Sequence, residues 1–281
     1  MQTVLTIAGF DPSSGAGVTA DLMVFAAHGL FGTACITALT VQSTLGVRST
    51  HPTPAPVVDS TLDCLAADIP PAGIKIGMLS GRDNIRIICR FLGNIHQTHE
   101  VQSRRFGGSV VLDPVLRSTS GRELLDPAAI EALQEQLLPL VDWVTPNLDE
   151  LKVLSGQSVS DRHDLRLACQ ALQNQLFEKN GGHRLGIFAT GGHLDPPDDF
   201  LLLPSGEEVW LPGEHIATRS THGTGCALSS AFLSRLVLGD PPKQAALAAK
   251  SYVAEAMKNA TAIGSGNGPL HHLWPLLRVK D

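Results

Sequence analysis

Short apolar runs alternate with stretches of helical periodicity along most of the chain. The run 4–8 is followed by a loop of Gly, Asp, Pro and Ser, and then by residues 18–28, whose apolar side chains recur with helical spacing. Further strands are predicted at 32–39, 73–79, 109–112, 143–145 and 185–189, and helices between most of them at 56–67, 84–92 and 130–138. This alternation predicts an α/β fold with a mostly parallel sheet, helices on both faces and ligands at the carboxyl ends of the strands.

The pattern changes in the last third of the chain. Residues 200–203 and 208–211, separated by Pro-Ser-Gly-Glu, predict a β-hairpin at the edge of the sheet, and two helices are expected at 224–238 and 243–260. The polar segment 94–108 is expected to be a surface loop. Because there is no internal repeat or low-complexity linker, we expect one domain over residues 1–281.

Composition narrows the function classes. The 281 residues are 43% hydrophobic, and 21 Lys and Arg against 27 Asp and Glu give a net charge of −6 without a basic run, which disfavours nucleic acid as a partner. The apolar runs have strand length and the N-terminus lacks a leader pattern, so we expect a cytoplasmic protein without a membrane partner. The five cysteines are scattered without C-x-x-C spacing, which disfavours disulfides and structural zinc.

The strongest chemical signal is the segment 221–231, where Thr221, Gly223, Gly225 and Cys226 come just before a helical run of small residues. The first turn of a helix has free backbone N–H groups and partial positive charge, so it can bind a phosphoryl group. The same field is expected to lower the pKa of Cys226 and make its thiol a base or nucleophile. The alternative is a glycine-kinked turn with a buried cysteine.

A second glycine loop, Gly15-Ala16-Gly17-Val18-Thr19-Ala20, follows the first strand and matches the dinucleotide fingerprint G-x-G-x-x-A. A nicotinamide site also needs an acidic residue about 20 positions later, and no Asp or Glu lies between Asp21 and Asp59. A dinucleotide oxidoreductase is therefore disfavoured. We expect the loop to approach a smaller ligand, with Asp21 as its polar contact.

Hard oxygen ligands follow two other predicted strands. Asn147 and Glu150 are spaced i, i+3 at the start of a predicted helix, and their oxygens suit Mg²⁺. Alternatively, Asn147 is the N-cap of this helix and Glu150 is its capping-box partner. Asp113 ends a neighbouring strand, and Gly191 ends a third. An anion site, a carboxylate and amide magnesium site and a base together indicate phosphoryl transfer from a nucleoside triphosphate. The P-loop and protein-kinase motifs are absent, which points to a small-molecule kinase of another architecture.

Taken in order over residues 4–274, the motifs resemble the hydroxymethylpyrimidine/phosphomethylpyrimidine kinases of thiamine biosynthesis, which have a ribokinase-like three-layer α/β/α fold. The segments that carry the resemblance are Thr6-Ile7-Ala8-Gly9, Ser14-Gly15-Ala16-Gly17, Ala20-Asp21-Leu22, Thr37-Ala38-Leu39-Thr40-Val41-Gln42-Ser43-Thr44, Lys75-Ile76-Gly77-Met78-Leu79, Asp113-Pro114-Val115, Thr145-Pro146-Asn147-Leu148 with Glu150, and Thr221-His222-Gly223-Thr224-Gly225-Cys226.

The resemblance implies a role for each matching residue. Substrate would be held by Asp21, Gln42, Met78 and Gly9; ATP by Thr190, Gly191, Asn147 and Thr221; and Mg²⁺ by Asp113 and Glu150. The backbone of Gly223, Thr224 and Gly225 would form the anion hole. Cys226 would remove the proton from the substrate CH₂OH, where most ribokinase-like enzymes use Asp. A homodimer is also expected.

The chain departs from the pattern of the family at two places, and other functions stay open. Family members often carry Lys before the Gly-Gly-His motif, where this chain has Thr190; Arg117 could supply the missing charge. Pyridoxal kinases of the same fold tend to place a second cysteine on the flap, where the nearest counterpart here is Ser118, which favours the pyrimidine. A catalytically silent ligand-binding protein of the same fold is the alternative from a different class.

Overall fold

In a computed structural model of the protein, the structure describes residues 1–101, 108–118, 121–179, 184–192 and 194–276, with the backbone alone described for 96–101. Its strands form one sheet in the order β3-β2-β1-β4-β5-β6-β7-β8-β9. The strands are β1 (Thr3–Phe10), β2 (Phe31–Ser43), β3 (Gly46–Pro52), β4 (Ile74–Ile76), β5 (Val110–Leu112), β6 (Trp143–Val144), β7 (Gly186–Ala189), β8 (Asp199–Leu202) and β9 (Glu208–Leu211).

The central strands from β2 to β7 are parallel, as the alternation of strands and helices predicts. β3 pairs antiparallel with β2 at one edge, and β8 and β9 continue antiparallel from β7 at the other, where the hairpin is predicted. Strand order reverses between β1 and β4, because α1 leads from β1 to β2 on one side while β4 lies on the other. Such a reversal opens a crevice at the carboxyl ends of the strands.

Helices cover both faces of the sheet, which confirms the predicted three-layer arrangement. Side chains of a parallel strand alternate between the two faces; on β5, Val110 and Leu112 belong to one core and Val111 to the other. The first core includes α2 (Ala55–Asp68), α3 (Arg82–Val101), α5 (Leu148–Ser155) and α6 (Arg162–Lys179), and the second includes α1 (Gly17–Ala27), α7 (Thr224–Val237) and α8 (Pro242–Lys258).

Five local differences separate the predicted elements from the observed ones. Residues 94–101, expected to be a loop, continue α3, because no proline or terminal glycine stops the helix there; 102–107 lie outside the described residues. β2 extends beyond residue 39, and β3 was not predicted. The helix α6 was also not predicted.

The helix expected at 130–138 is instead a broken helical stretch over 127–140, in which α4 (Ile130–Ala132) lies between a 3₁₀ turn and a wider π turn. Pro139, which has no N–H to donate, lies at the end of this stretch.

Among the described residues, no helix is both long enough and apolar enough to span a bilayer.

Candidate active site

A cleft of about 1920 Å³ opens at the carboxyl ends of the parallel strands. The loops after β1, β4, β5, β6 and β7 contribute to its walls, as does the N-terminus of α7. All the predicted site residues line this cleft except Asp21 and Gly191. The structure therefore brings together residues that are as far apart in the sequence as Gly9 and Cys226.

The two glycine loops pack against each other beside the cleft. Gly223 has a φ of 90°, and a Cβ there would overlap the carbonyl oxygen of Gly15. A Cβ at Gly15 would in turn overlap the ring of His222, and one at Gly17 would overlap the carbonyl oxygen of Gly9. Packing against protein atoms therefore accounts for these glycines. Ala16 and Gly17 also line the cleft, so the approach of this loop to a small ligand stays a prediction.

The N-terminus of α7 has the features of an anion site. Gly223 is its N-cap, no side chain caps the free amides, and no acidic residue lies in the first turn. Thr224, Gly225 and Cys226 all face the cleft. Uncapped backbone donors that line an open cleft are available to a negatively charged group.

The expected lowering of the Cys226 pKa is wrong for this structure. Burial raises the pKa of the thiol to about 12; the Lys75 ammonium acts in the opposite direction, whereas Asp113 and Asp21 raise the pKa further. The effect of burial on the thiol outweighs the field of the helix terminus. A role as base therefore requires the thiol to lose its proton only when substrate is in place.

Asp21 lies beneath the cleft and not in its wall. Its side chain is fully buried and accepts hydrogen bonds from Thr6 Oγ1 at 2.6 Å, from Ser230 Oγ at 2.8 Å and from Lys75 Nζ at 3.0 Å to both oxygens. Those bonds occupy both carboxylate oxygens, so the prediction that Asp21 contacts the pyrimidine is wrong for this structure. Asp21 instead holds Lys75.

Lys75 is the cation that sequence reasoning missed. Its side chain is fully buried and lines the cleft, and a Cβ at Gly77 would lie 2.7 Å from its Nζ, so the glycine leaves room for the ammonium. Burial alone would lower the pKa of Lys75, but the charges of Asp21, Cys226 and Asp113 raise it overall. The available signal was a charged residue inside the apolar strand Ile74–Ile76.

Gly9, Gln42 and Met78 form one wall of the cleft, as predicted. A Cβ at Gly9 would lie 2.7 Å from the sulfur of Met78, so the thioether occupies the space over the glycine. The Met78 carbonyl accepts a hydrogen bond from Thr37, which fixes the backbone beneath the thioether. An apolar thioether next to a polar amide suits a flat heterocycle.

Two acidic residues, Asp113 and Glu150, also line the cleft. Asp113 and Glu150 are buried, and burial raises the pKa of both. The pKa of Glu150 reaches about 8, because the Asp113 charge adds to the effect of burial. A carboxylate whose ionisation is disfavoured by burial and by a second carboxylate fits a divalent cation, which would stabilise the charged form.

Asn147 and Glu150 also form the capping box that was the alternative interpretation. Asn147 Oδ1 accepts from the Glu150 amide at 3.0 Å, and Glu150 Oε2 accepts from the Asn147 amide at 2.9 Å. No group of three His, Cys, Asp or Glu within the described ranges could hold a metal ion. Asp113 and Glu150 would therefore bind Mg²⁺ together with water or phosphate oxygens, as this ion commonly requires.

Replacing Glu150 with glutamine should stabilise the ligand-free protein at alkaline pH. A pKa raised to about 8 means that the folded state holds the proton more tightly than the unfolded state, so stability falls as the pH rises toward that value. Glutamine mimics the protonated acid and still accepts from Asn147. With EDTA, we expect Glu150→Gln to unfold roughly 2–4 °C above the parent at about pH 9 and at the same temperature at about pH 4. A lower melting temperature at alkaline pH would contradict this electrostatic picture.

The predicted nucleotide contacts are only partly placed in the cleft. Thr190, Asn147 and Thr221 line it, but Gly191 is buried and its amide donates to Asp199 Oδ1 at 2.9 Å, so that contact is wrong for this structure. Gly192 faces the cleft instead, and His193 lies outside the described residues.

Two cations that line the cleft could supply the charge of the missing lysine, and both form ion pairs. Arg117 is exposed and pairs with Glu123 at 3.6 Å. Lys250, which also lines the cleft, pairs with Asp199 at 2.7 Å and is a second cation that was not predicted.

Comparison with known proteins identifies the family. A sequence profile described as phosphomethylpyrimidine kinase matches residues 11–271. The chain belongs to the phosphomethylpyrimidine kinase family. It is 36% identical to the hydroxymethylpyrimidine/phosphomethylpyrimidine kinase of Haemophilus influenzae over 99% of both chains.

Solved structures agree with this membership of the phosphomethylpyrimidine kinase family and with the ribokinase-like fold. The phosphomethylpyrimidine kinase of Clostridium difficile superposes with a TM-score of 0.75 at 32% identity, covering 91% of this chain and 99% of that one. An ADP complex of the pyridoxal kinase of Bacillus subtilis gives a TM-score of 0.81 at 28% identity and covers 100% of both chains. The chain is accordingly a phosphotransferase.

Proposed function

We propose that this protein transfers the γ-phosphoryl group of ATP to 4-amino-5-hydroxymethyl-2-methylpyrimidine and then to its monophosphate, in thiamine biosynthesis. The observation that carries the proposal is the composition of one cleft. The uncapped amides of α7 and Cys226 line it together with Gln42, Met78, Asp113 and Glu150. Membership of the family supports the same reaction.

Each group of residues in the cleft has its own role in the proposed reaction. Gln42, Met78 and Gly9 hold the heterocycle so that its CH₂OH group points to the floor of the cleft. Cys226 accepts the hydroxyl proton, and the amides from Gly223 to Cys226 stabilise the charge on the transferred group. Asn147, Thr190 and Thr221 bind the nucleotide. Mg²⁺, held by Asp113 and Glu150, would neutralise charge on the ATP phosphates.

The buried Lys75 supports the proton step. Its ammonium is one of the groups that lower the Cys226 pKa against the effect of burial. A cation beneath the thiol stabilises the thiolate that forms as the proton leaves. The attraction between the Lys75 ammonium and the Cys226 thiolate arises only when Cys226 ionises. It therefore stabilises the transition state more than the resting state.

Pyridoxal is the second candidate substrate, because the B. subtilis pyridoxal kinase superposes over the whole chain. Against it, the flap carries Ser118 where pyridoxal-using relatives tend to have cysteine. Ser118 Oγ here accepts from the Arg122 amide at 3.0 Å and so stabilises the flap turn. We therefore place the pyrimidine first.

An ADP-release assay with each alcohol tests the substrate. With Mg²⁺ and ATP, we expect kcat/KM for the hydroxymethylpyrimidine to exceed that for pyridoxal by at least about tenfold, because a heterocycle that leaves buried polar groups unpaired is strongly rejected. EDTA should abolish turnover of both. A preference for pyridoxal would move the assignment to vitamin B6 salvage, and no ADP release with either alcohol would favour the silent binder.

We also propose that the protein acts as a cytoplasmic homodimer built from one domain over residues 1–281. Apolar side chains on the edge formed by β2 and β3 support the dimer, since Leu39, Val41 and Leu45 are about half exposed or more. The net charge of −6 supports the absence of a nucleic-acid partner. Light scattering of the purified protein would show twice the chain mass.

A further inference from the structure

His222 directly precedes Gly223, the N-cap of α7, and three neighbours hold its ring. Its Nε2 is 2.7 Å from Asp11 Oδ2 and 2.9 Å from Gln42 Nε2. On the third side the ring packs against Gly15, where no Cβ could fit. The side chain is only 14% exposed. Gln42 also lines the cleft beside Met78 and Gly9. The way His222 holds the Gln42 amide therefore determines whether its oxygen or its NH₂ group faces a ligand.

Asp11 can only accept a hydrogen bond at this contact. Its Oδ1 accepts from the Ser13 amide at 2.8 Å and from Ser13 Oγ at 2.6 Å, and its Oδ2 accepts from the Ala16 amide at 2.9 Å. Burial alone would raise the pKa of Asp11, but the bonds from His222 and Ser13 lower it overall. Since an ionised carboxylate has no hydrogen to donate, Nε2 of His222 carries the hydrogen and donates it to Asp11.

This assignment fixes the Gln42 amide. An Nε2–H group cannot accept from the amide NH₂ of Gln42, and two donors 2.9 Å apart would repel each other. Rotating the amide by 180° puts Oε1 toward His222, where it shares the ring hydrogen with Asp11, and turns the NH₂ group toward the cleft. Gln42 then offers donors to a ligand.

We propose that His222, held by Asp11, is a positioning residue that fixes the Gln42 amide with its NH₂ toward the cleft, so that the site selects a heterocycle with an unprotonated ring nitrogen at that position. The inference rests on the proposed function, because it names the part of the heterocycle that is read. A ring C–H or N–H at the same place would leave the Gln42 donor unpaired or repelled.

A double-mutant cycle on the KM for the hydroxymethylpyrimidine tests the positioning role. We expect His222→Phe and Gln42→Ala each to raise this KM by about tenfold, the effect of losing one well-placed hydrogen bond. The two substitutions together should raise it no further than Gln42→Ala alone, since His222 acts through Gln42. Effects that multiply in the double variant would overturn the proposal.

Two further variants separate positioning from a general loss of structure. His222→Gln retains an N–H group that can reach Asp11, so we expect its KM to stay near the parent value. Ser13→Ala removes one donor from the other Asp11 oxygen and should change KM far less than His222→Phe. If His222→Gln were as impaired as His222→Phe, the ring would matter for packing on Gly15 and the positioning role would be wrong.

The ring ¹⁵N chemical shifts of His222 give a readout that needs no turnover. In the ligand-free protein we expect Nε2 to be protonated, whether the ring is neutral or charged. A ring protonated only at Nδ1 would overturn the inference. A protein with the expected ring state that phosphorylates neither alcohol would refute the proposed function instead, so the two failures are distinguishable.

Discussion

Replacing Cys226 with alanine is expected to lower kcat by about a thousandfold, within the usual range for the loss of a positioned general base. Cys226 lines the cleft at the N-terminus of α7. Alanine preserves the helix and its backbone amides, so binding of the pyrimidine, measured by calorimetry, should not change. Cys64→Ala is the matched control, because Cys64 is exposed on α2 and should leave kcat unaltered.

The pH profile adds a second test of the same residue. A thiol with a pKa of about 12 is almost fully protonated at neutral pH, so kcat/KM should rise with pH through and above neutrality. Cys226→Asp substitutes a base that ionises at lower pH, and it should retain part of the activity while flattening the alkaline rise. Near-parental activity of Cys226→Ala would show that the anion hole and Mg²⁺ carry the reaction without this base.

Replacing Lys75 with methionine is expected to destabilise the protein by roughly 3–5 kcal/mol, the usual effect of removing one partner of a buried ion pair. The Lys75 and Asp21 side chains are both 0% exposed, and the substitution would leave Asp21 charged and bonded only to hydroxyl groups. The free energy of unfolding in urea measures the effect. A change below about 1 kcal/mol, as for exposed pairs, would contradict the account.

Two controls belong to this experiment. Lys179→Met removes a lysine from an exposed pair with Glu135 and should cost less than about 1 kcal/mol. Combining Lys75→Met with Asp21→Asn removes both charges and should recover part of the lost stability. If Asp21→Asn alone raised the substrate KM without lowering stability, Asp21 would contact substrate as the resemblance implied.

The central strands could be predicted because they are buried on both faces and so appear as continuous apolar runs. The same rule missed β3, whose polar residues include the half-exposed Ser49 and the exposed His51. It also missed α6, although Leu165, Ala168, Cys169, Leu172 and Leu176 follow helical spacing and are buried. The predicted ends of helices were wrong where polar residues continue the helix, as they do after residue 93 in α3.

Most of the candidate site could be predicted because its residues follow the ends of parallel strands, which meet at one edge of the sheet. The surroundings of each side chain could not. Asp21 is saturated by Lys75 of the neighbouring strand and by Ser230, which is 209 positions away. The pKa of Cys226 likewise depends on how deeply packing buries it, which motif spacing does not encode.

The most direct test is mass spectrometry of the products after incubation with Mg²⁺, ATP and 4-amino-5-hydroxymethyl-2-methylpyrimidine. The account predicts the monophosphate first and the diphosphate later, with one ADP for each phosphoryl group transferred. Unchanged pyrimidine, in a parallel reaction where pyridoxal is converted to its phosphate, would contradict the proposed substrate.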